Sequence, residues 1–386
     1  YVLGRRWWSW IFIVFFLAIF FLFLSSQDSS DTVQPQDRAS RPPILLVDDF
    51  YYPSQESTLA YPTCEMNKGF EFPGGGASDL GDYSFLSAMA YERYEITKYT
   101  LSKWFGADLV VDEEEFVSQW RKNNEKSGKV ESGVYFKLFS LTSVPGYAIM
   151  SIRGSETAWD WISNMRLWSA AGLAQVVKWV MPYGWIWDPI LPDLIYFANW
   201  VESSTIASVS YYKTTTQFVN DVLAGYGKND GYDFSNLRVT GASLGGGLAI
   251  ITGAQTQAFA VAISGLGATL SRETFDPPIE LEKLNSHTFN FIPERDYIAR
   301  IGGRASFFQN AECIAPKNDL FACHSMWRSV CEIAYRCGSS DSRPVICRCV
   351  DQFGYPPPLA VNGTTRSFED ACQEANNTWY EMFPPN

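Results

Sequence analysis

The most constraining feature of the sequence is a strand, a tight turn and a helix that follow one another without a break. Residues 236–255, NLRVTGASLGGGLAIITGAQ, begin with alternating apolar residues and end in an apolar stretch of helical length. The turn has the pattern G-x-S-x-G, with Ser243 between Gly241 and Gly245. Only small residues fit beside a serine on such a bend, so the segment favours a nucleophile turn. A loop that opens a helix or cradles phosphate is the alternative, but the P-loop lysine and the G-x-G-x-x-G spacing are missing.

Segments on both sides of this turn complete an α/β pattern. Residues 133–141 (GVYFKLFSL) and 146–154 (GYAIMSIRG) are strand-like runs with a Val-Pro-Gly turn between them. Residues 80–101 and 205–227 have apolar residues at helical spacing. Strands that alternate with helices predict an α/β fold with a central, mostly parallel sheet flanked by helices.

The size and charge of the chain narrow the class of protein. The chain has 386 residues, of which 46% are hydrophobic, which is enough for a packed core. Its formal net charge is -12, and no stripe of lysine or arginine is visible. Because phosphate backbones are bound by concentrated basic surfaces, these features argue against a nucleic-acid partner.

The N-terminal residues predict a membrane anchor. Two arginines precede an apolar run at residues 7–24, about the minimum length that spans a bilayer. A cleaved signal peptide is the alternative, in which case the protein would be secreted. The positive-inside rule leaves residues 1–6 in the cytosol and places the chain after Ser25 on the lumenal or extracellular side. Residues 25–60 are polar with prolines and predict a linker to a catalytic domain at 61–343.

The cysteines agree with an oxidising compartment. Seven of the eight lie in the last quarter of the chain, several of them in a tail at 344–386. An even number in a secreted chain predicts disulfides, although spacing does not give their pairing. A zinc site is the alternative, but no C-x-x-C pair is present and only two histidines occur. Glycosylation sequons at Asn362 and Asn376 fit lumenal exposure. The disulfide candidates are Cys64, Cys313, Cys323, Cys331, Cys337, Cys347, Cys349 and Cys372.

A serine nucleophile needs a base, and the chain offers two candidates. Serine attacks at neutral pH only when a base takes its proton and a third group orients that base. His287 lies at the start of an apolar strand, where a structural histidine is the usual interpretation. His324 lies between Cys323 and Cys331, whose disulfides would fix its loop. We therefore predict that His324 is the base.

The orienting acid is expected between the serine and the histidine in the chain. Asp296 stands just past the apolar strand of FNFIPERDYIARIGG, where the end of a sheet would present it beside Ser243. Glu294 and Asp319 are the alternatives. A solvated loop aspartate is the structural interpretation, and Asp296 is preferred because the other motifs accompany it.

Three motifs stand in separate parts of the chain. They are AIMSIRGSETAWDWISNM at 148–165, VTGASLGGGLA at 239–249 and RDYIARI at 295–301. Together, and in this order, they resemble the class 3 lipase family, the fungal-type triacylglycerol lipases. The resemblance covers about residues 84–328 and implies an α/β-hydrolase-like fold. The chain departs from the family at Ala242, where histidine is usual, and in a short interval before His324.

The resemblance also implies roles for particular residues. Ser243 would be the nucleophile, Asp296 the orienting acid and His324 the general base. The backbone N–H and hydroxyl of Ser155, with the backbone N–H of Leu244, would form the oxyanion hole. Such donors stabilise the negative charge of a tetrahedral intermediate. No metal or organic cofactor is implied.

A tryptophan-rich segment follows the oxyanion motif. Half of the 14 tryptophans lie in residues 159–200, and apolar residues continue at helical spacing from Leu173. In class 3 lipases the mobile lid stands here, so a lid or lipid-facing patch is expected. Core packing is the alternative, and a second membrane span is disfavoured because Lys178, Pro182 and Gly184 interrupt it. The lid or interface candidates are Trp168, Trp179, Trp185 and Trp187.

The resemblance thus implies a serine carboxylic-ester hydrolase that acts on lipid esters at a membrane or droplet surface through an acyl-enzyme. Triacylglycerol, phospholipid and galactolipid are all compatible substrates. Two other functions stay open: a catalytically inactive lipase-like protein that binds lipid or a partner, and an esterase for soluble or cell-wall esters. An intact set of Ser243, Asp296 and His324 argues against the inactive protein.

Overall fold

The chain groups into two compact units. The computed structural model of the protein describes residues 42–53, 79–106, 110–126, 134–154, 211–305, 307–316, 319, 322–338 and 343–384. One unit comprises Ile44–Thr378, and the other comprises Tyr1–Pro43 with Trp379–Asn386. The predicted anchor at residues 7–24 lies outside the described residues, and none of the helices within them is long and apolar enough to cross a bilayer.

One mixed sheet dominates the first unit. In chain order the strands are β1 (Leu46–Val47), β2 (Phe50–Tyr51), β3 (Val110–Asp112), β4 (Phe136–Leu141), β5 (Tyr147–Ile152), β6 (Asn236–Ala242), β7 (Ala260–Ile263), β8 (Thr288–Pro293), β9 (Phe308–Ala311), β10 (Val345–Ile346) and β11 (Leu359–Ala360). Strands β3 to β9 form a seven-stranded sheet in sequential order. Antiparallel pairing joins β3, β4 and β5, whereas β5 to β9 pair in parallel. The predicted α/β fold is confirmed.

The register of the parallel strands decides which loops meet. β5 and β6 pair from Tyr147 with Asn236 to Ile152 with Gly241, so both strands end at the same level. β7 and β8 continue in parallel beside them. Because parallel strands share one carboxyl edge, the loops that follow β5, β6 and β8 come together there.

Helices cover the sheet and connect its strands. They are α1 (Leu80–Met89), α2 (Tyr94–Phe105), α3 (Glu114–Glu125), α4 (Tyr211–Leu223), α5 (Leu244–Thr256), α6 (Leu281–His287), α7 (Met326–Cys337), α8 (Cys347–Asp351) and α9 (Phe368–Met382). α1 starts with a capping box, in which the Asp79 carboxylate accepts the Asp82 backbone N–H at 2.8 Å. α5 is buried from Leu244 to Ala254, which explains why its sequence is apolar on all sides.

An apolar core lies on each face of the sheet. In β5, Ala148, Met150 and Ile152 belong to one cluster of buried residues, and Tyr147 and Ile149 belong to the other. This alternation follows from the two-residue period of a strand. The first cluster includes residues of α3, α4, α5 and α6, and the second includes residues of α1, α2 and α7.

The described cysteines are paired, so the prediction of disulfides is confirmed for them. The bonds are Cys313–Cys323, Cys331–Cys349 and Cys347–Cys372. Cys337 is also disulfide-bonded, and Cys64 lies outside the described residues. None of the cysteines in the described part of the chain is a free thiol.

Residues of the predicted linker and of the predicted tail pair with one another. β1 pairs antiparallel with β10, and β2 pairs antiparallel with β11. A third cluster of buried residues lies with these short sheets and includes Val47, Phe50 and Phe368. The phenyl rings of Phe50 and Phe368 meet edge to face at 5.3 Å between centroids.

Candidate active site

Ser243 occupies the bend between β6, which ends at Ala242, and α5, which begins at Leu244. Its φ of 57° and ψ of -124° lie in a region that residues other than glycine rarely adopt. The Ser243 backbone N–H donates to the Ile263 carbonyl at 3.0 Å, and the Gly247 N–H donates to the Ser243 carbonyl at 3.0 Å. These two bonds tie the bend to β7 on one side and to α5 on the other.

The bend closes because Gly241 and Gly245 have no side chains. A Cβ on Gly241 would lie 2.5 Å from the Gly245 carbonyl oxygen, and a Cβ on Gly245 would lie even closer to the Ile152 carbonyl oxygen. Any larger residue would therefore push α5 away from β5 and β6. The two glycines of the sequence pattern are required by close packing, as the pattern indicates.

His324 lies against the serine. Its Nε2 is 2.7 Å from Ser243 Oγ. The residue ends a 3-10 turn, Ala322–His324, directly before α7. Ser325 caps α7 by accepting the Arg328 backbone N–H, which fixes the chain on the other side of the histidine. The His324 side chain is only 15% exposed, so the imidazole is largely shielded from water.

Asp296 lies on the opposite side of the imidazole and is fully buried. Its Oδ2 and Oδ1 are 3.0 and 3.1 Å from His324 Nδ1. Oδ1 also accepts the backbone N–H groups of Ile298 and Ala299, at 3.0 and 3.1 Å. A carboxylate surrounded by donors requires the imidazole proton on Nδ1, so we assign Nε2 as the nitrogen whose lone pair faces the Ser243 hydroxyl.

Arg295 connects the loop of the acid to the loop of the histidine. Its guanidinium donates from Nη2 to the Cys313 carbonyl at 2.9 Å. Cys313 is disulfide-bonded to Cys323, the residue before His324. A chain of contacts therefore runs from the residue before Asp296 to the residue before the histidine. The sequence did not single out Arg295, although its position in the RDYIARI motif is a signal that could have found it.

The expected oxyanion donors start from two neighbouring strand ends. Leu244 is the first residue of α5, and the N–H groups of a first helical turn have no partner within the helix. Ser155 lies outside the described residues, and Gly154 is the residue before it. A Cβ on Gly154 would lie 2.6 Å from the Ala242 carbonyl oxygen, so the chain after β5 touches the turn that carries Ser243.

The other candidates for base and acid make different contacts. His287 ends α6, and its Nδ1 lies 2.8 Å from the hydroxyl of the preceding serine. Glu294 is exposed. The Asp319 carboxylate accepts the Ala322 backbone N–H at 3.0 Å and so caps the turn that ends at His324.

The two predicted glycosylation sites are at least partly exposed to solvent. Asn362 is exposed after β11, and Asn376 is partly exposed on α9.

Within the part of the chain that the structure describes, no group of three or more histidine, cysteine or acidic side chains is placed to hold a metal ion. The candidates outside the described residues are Ser155, Trp168, Trp179, Trp185, Trp187 and Cys64.

Neither a family model nor a curated protein matches this chain. The resemblance to class 3 lipases therefore depends on the three motifs alone. The chemistry of the site is instead defined by its geometry, in which a shielded imidazole faces a serine hydroxyl on one side and a buried carboxylate on the other. Such a site can remove a proton from the hydroxyl as its oxygen attacks a carbonyl carbon.

Proposed function

We propose that the protein is a serine carboxylic-ester hydrolase with an α/β-hydrolase-like fold of the class 3 lipase type. The observation that carries the proposal is the hydrogen-bond chain from Asp296 through His324 to Ser243, at 3.0 and 2.7 Å. The three residues come from three loops at one edge of the sheet. A carboxylate, an imidazole and a serine in this order activate the serine for acyl transfer.

The first half-reaction forms an acyl-enzyme. Ser243 Oγ attacks the ester carbonyl carbon while His324 Nε2 takes the hydroxyl proton. Asp296 holds the other imidazole proton and stabilises the positive charge on the ring. Negative charge develops on the former carbonyl oxygen, where the Leu244 N–H and, by resemblance, Ser155 would receive it. His324 then protonates the leaving alcohol as the carbon–oxygen bond breaks.

The second half-reaction returns the enzyme to its starting state. Water attacks the acyl carbon while His324 takes one of its protons. The tetrahedral intermediate forms against the same donors and then expels Ser243 Oγ, which recovers its proton from His324. A carboxylic acid leaves. Every proton in the cycle passes between water, the substrate, Ser243 and His324, so the proposed reaction uses no cofactor.

The proposed substrates are lipid esters, with triacylglycerol, phospholipid and galactolipid as the classes to compare. Support comes from the family resemblance and from the tryptophan-rich composition of residues 159–200. We place the catalytic domain on the lumenal or extracellular side, anchored by residues 7–24, or secreted if that segment is cleaved. The paired cysteines support an oxidising compartment.

Hydrolysis of p-nitrophenyl esters by the full chain, beside Ser243→Ala, tests the proposal. We expect fluorophosphonate to label Ser243 in the wild type and the variant to lose activity by at least about 10³-fold. Ser264→Ala is the matched control, because Ser264 also has a positive φ, of 52°, directly after the neighbouring strand β7. This control is expected to keep its activity.

A folded wild-type protein that neither hydrolyses esters nor is labelled would contradict the proposal and would favour a lipase-like binding protein. The substrate class needs a second comparison, between monomeric short-chain esters and emulsified long-chain esters. A higher rate at the emulsion surface supports lipid esters. Equal rates would instead favour an esterase for soluble or cell-wall esters.

A further inference from the structure

Tyr91 lies between the two strand ends that lead to the nucleophile and to the expected oxyanion donor. Its phenol oxygen accepts the Gly154 backbone N–H at 2.8 Å and donates to the Ala242 carbonyl at 3.4 Å. Gly154 precedes Ser155, and Ala242 precedes Ser243. One hydroxyl group therefore joins the chain after β5 to the end of β6.

The space around this hydroxyl is filled by backbone. A Cβ on Gly154 would lie 2.5 Å from the Tyr91 hydroxyl oxygen, 2.6 Å from the Ala242 carbonyl oxygen and 3.2 Å from the Gly245 nitrogen. The phenol, the chain after β5 and the nucleophile turn are thus in direct contact. A movement of any of the three would change the position of the others.

Tyr91 is held in place by contacts other than those of its hydroxyl. The Tyr91 backbone N–H donates to the Ala88 carbonyl at the end of α1, at 3.1 Å. The Arg153 guanidinium lies 5.9 Å from the centroid of the Tyr91 ring and 5.5 Å from that of Tyr135. Removal of the hydroxyl alone should therefore leave the ring in place.

We infer that Tyr91 is a positioning residue that holds the end of β5 against the turn of Ser243 and Leu244, an inference that rests on the proposed ester-hydrolase function. An oxyanion donor acts only at a fixed distance from the nucleophile, and Leu244 follows closely on Ala242, whose carbonyl the phenol contacts. Without the hydroxyl, the Gly154 N–H loses its acceptor and the end of β5 can shift against the turn. The phenol hydroxyl accepts from one backbone group and donates to another, so Tyr91 acts by holding these two backbone segments and not by contact with the substrate.

Tyr91→Phe in the full chain tests the inference. We expect kcat for a monomeric ester to fall about 10- to 100-fold, since displacements of about 1 Å cost this much, while KM stays close to the wild-type value. The rate of Ser243 phosphonylation should fall in parallel. The pH midpoint of kcat/KM should stay unchanged, because the His324 and Asp296 pair is not touched.

Tyr212→Phe is the matched control. The Tyr212 hydroxyl, on α4, also accepts a backbone N–H, that of Asp276 at 3.0 Å. We expect this variant to lose a similar amount of thermal stability but to keep its kcat. Fluorophosphonate titration gives the fraction of active enzyme in each preparation, so that kcat is expressed per reactive Ser243.

Two results would overturn the inference while the proposed function stands. One is an active wild type with an unchanged kcat in Tyr91→Phe. The other is a loss of rate in Tyr91→Phe that disappears when kcat is expressed per reactive Ser243, because the role of Tyr91 would then be structural only. A wild type that neither hydrolyses esters nor is labelled would overturn the proposed function together with the inference.

Discussion

At the scale of single residues, the proposed chemistry depends strongly on the carboxylate of Asp296. It is fully buried, and its oxygens accept from His324 and from two backbone N–H groups. Those donors fix the carboxylate, and the carboxylate fixes the imidazole tautomer. A change of one atom at this position should therefore alter catalysis far more than it alters packing.

Asp296→Asn is expected to lower kcat by about 10⁴-fold with a small change in the melting temperature. The asparagine amide has the shape of the carboxylate, but its N–H group can direct the imidazole proton to Nε2, where the ring can no longer take the Ser243 proton. Steady-state kinetics and thermal unfolding measure the two effects. Asp233→Asn is the control, because the Asp233 carboxylate also accepts a backbone N–H, that of Ser235 at 3.2 Å, but lies ahead of β6, at the opposite end of that strand from Ser243. Wild-type kcat in Asp296→Asn would contradict the proposed role of the acid.

At the scale of elements, the Cys313–Cys323 disulfide fixes the short turn that carries His324. Replacement of both cysteines by serine should lower kcat about 10-fold or more, because the imidazole loses its fixed position. The Cys347–Cys372 disulfide lies in the third cluster of buried residues, with the short sheets. Replacement of these two cysteines by serine should therefore leave kcat unchanged. Each double variant is expected to lose about 3 kcal/mol of stability. Equal kcat in both, measured well below their melting temperatures, would contradict the positioning role.

Local signals were sufficient for the central elements of the site. The strand, turn and helix around Ser243 were predictable because periodicity and glycine spacing act over a few residues. Asp296 was predictable because it follows a strand, and His324 because the chain has only two histidines. The contacts of Arg295 and Tyr91 were not predictable, since each joins segments that come together only through the sheet register.

Long-range pairing was the part of the fold that the sequence did not reveal. β1 and β2 have two residues each, which is too short for any periodicity, and they stood in a region that composition marked as a linker. Their partners β10 and β11 lie near the other end of the chain. The pairing of the cysteines in that region could not be predicted either, because the spacing of cysteines does not determine which of them are bonded.

At the scale of the whole molecule, residues 44–378 form one compact unit that includes the short sheets as well as the candidate active site. α7 illustrates this arrangement. It starts beside His324, contributes Val330 and Ile333 to a core on the sheet, and is bonded from Cys331 to Cys349. A buried group on this helix should therefore influence the stability of the unit and not only that of the helix.

Glu332 on α7 is such a group, since it is only 2% exposed. Burial raises the pKa of its carboxyl group, and the Arg336 guanidinium, 2.9 Å away, opposes that shift. A raised pKa means that the native state binds the proton more tightly than the unfolded state. The stability that this group confers is therefore fully present below the ordinary glutamate pKa and is lost as pH rises through the raised value.

The melting temperature of the wild type relative to Glu332→Gln should accordingly fall as pH increases from about 4 towards neutrality. Other titrating groups are present in both proteins, so the difference between them isolates Glu332. Glu312→Gln controls for the lost ion pair, because Glu312 is a more exposed carboxylate that pairs with the same arginine. A difference that is independent of pH, or that grows in favour of the wild type as pH rises, would show that burial does not control this carboxyl group. If the melting temperature of the wild type relative to Glu332→Gln falls with pH in a single unfolding transition, ionisation of Glu332 destabilises the whole unit that contains Ser243.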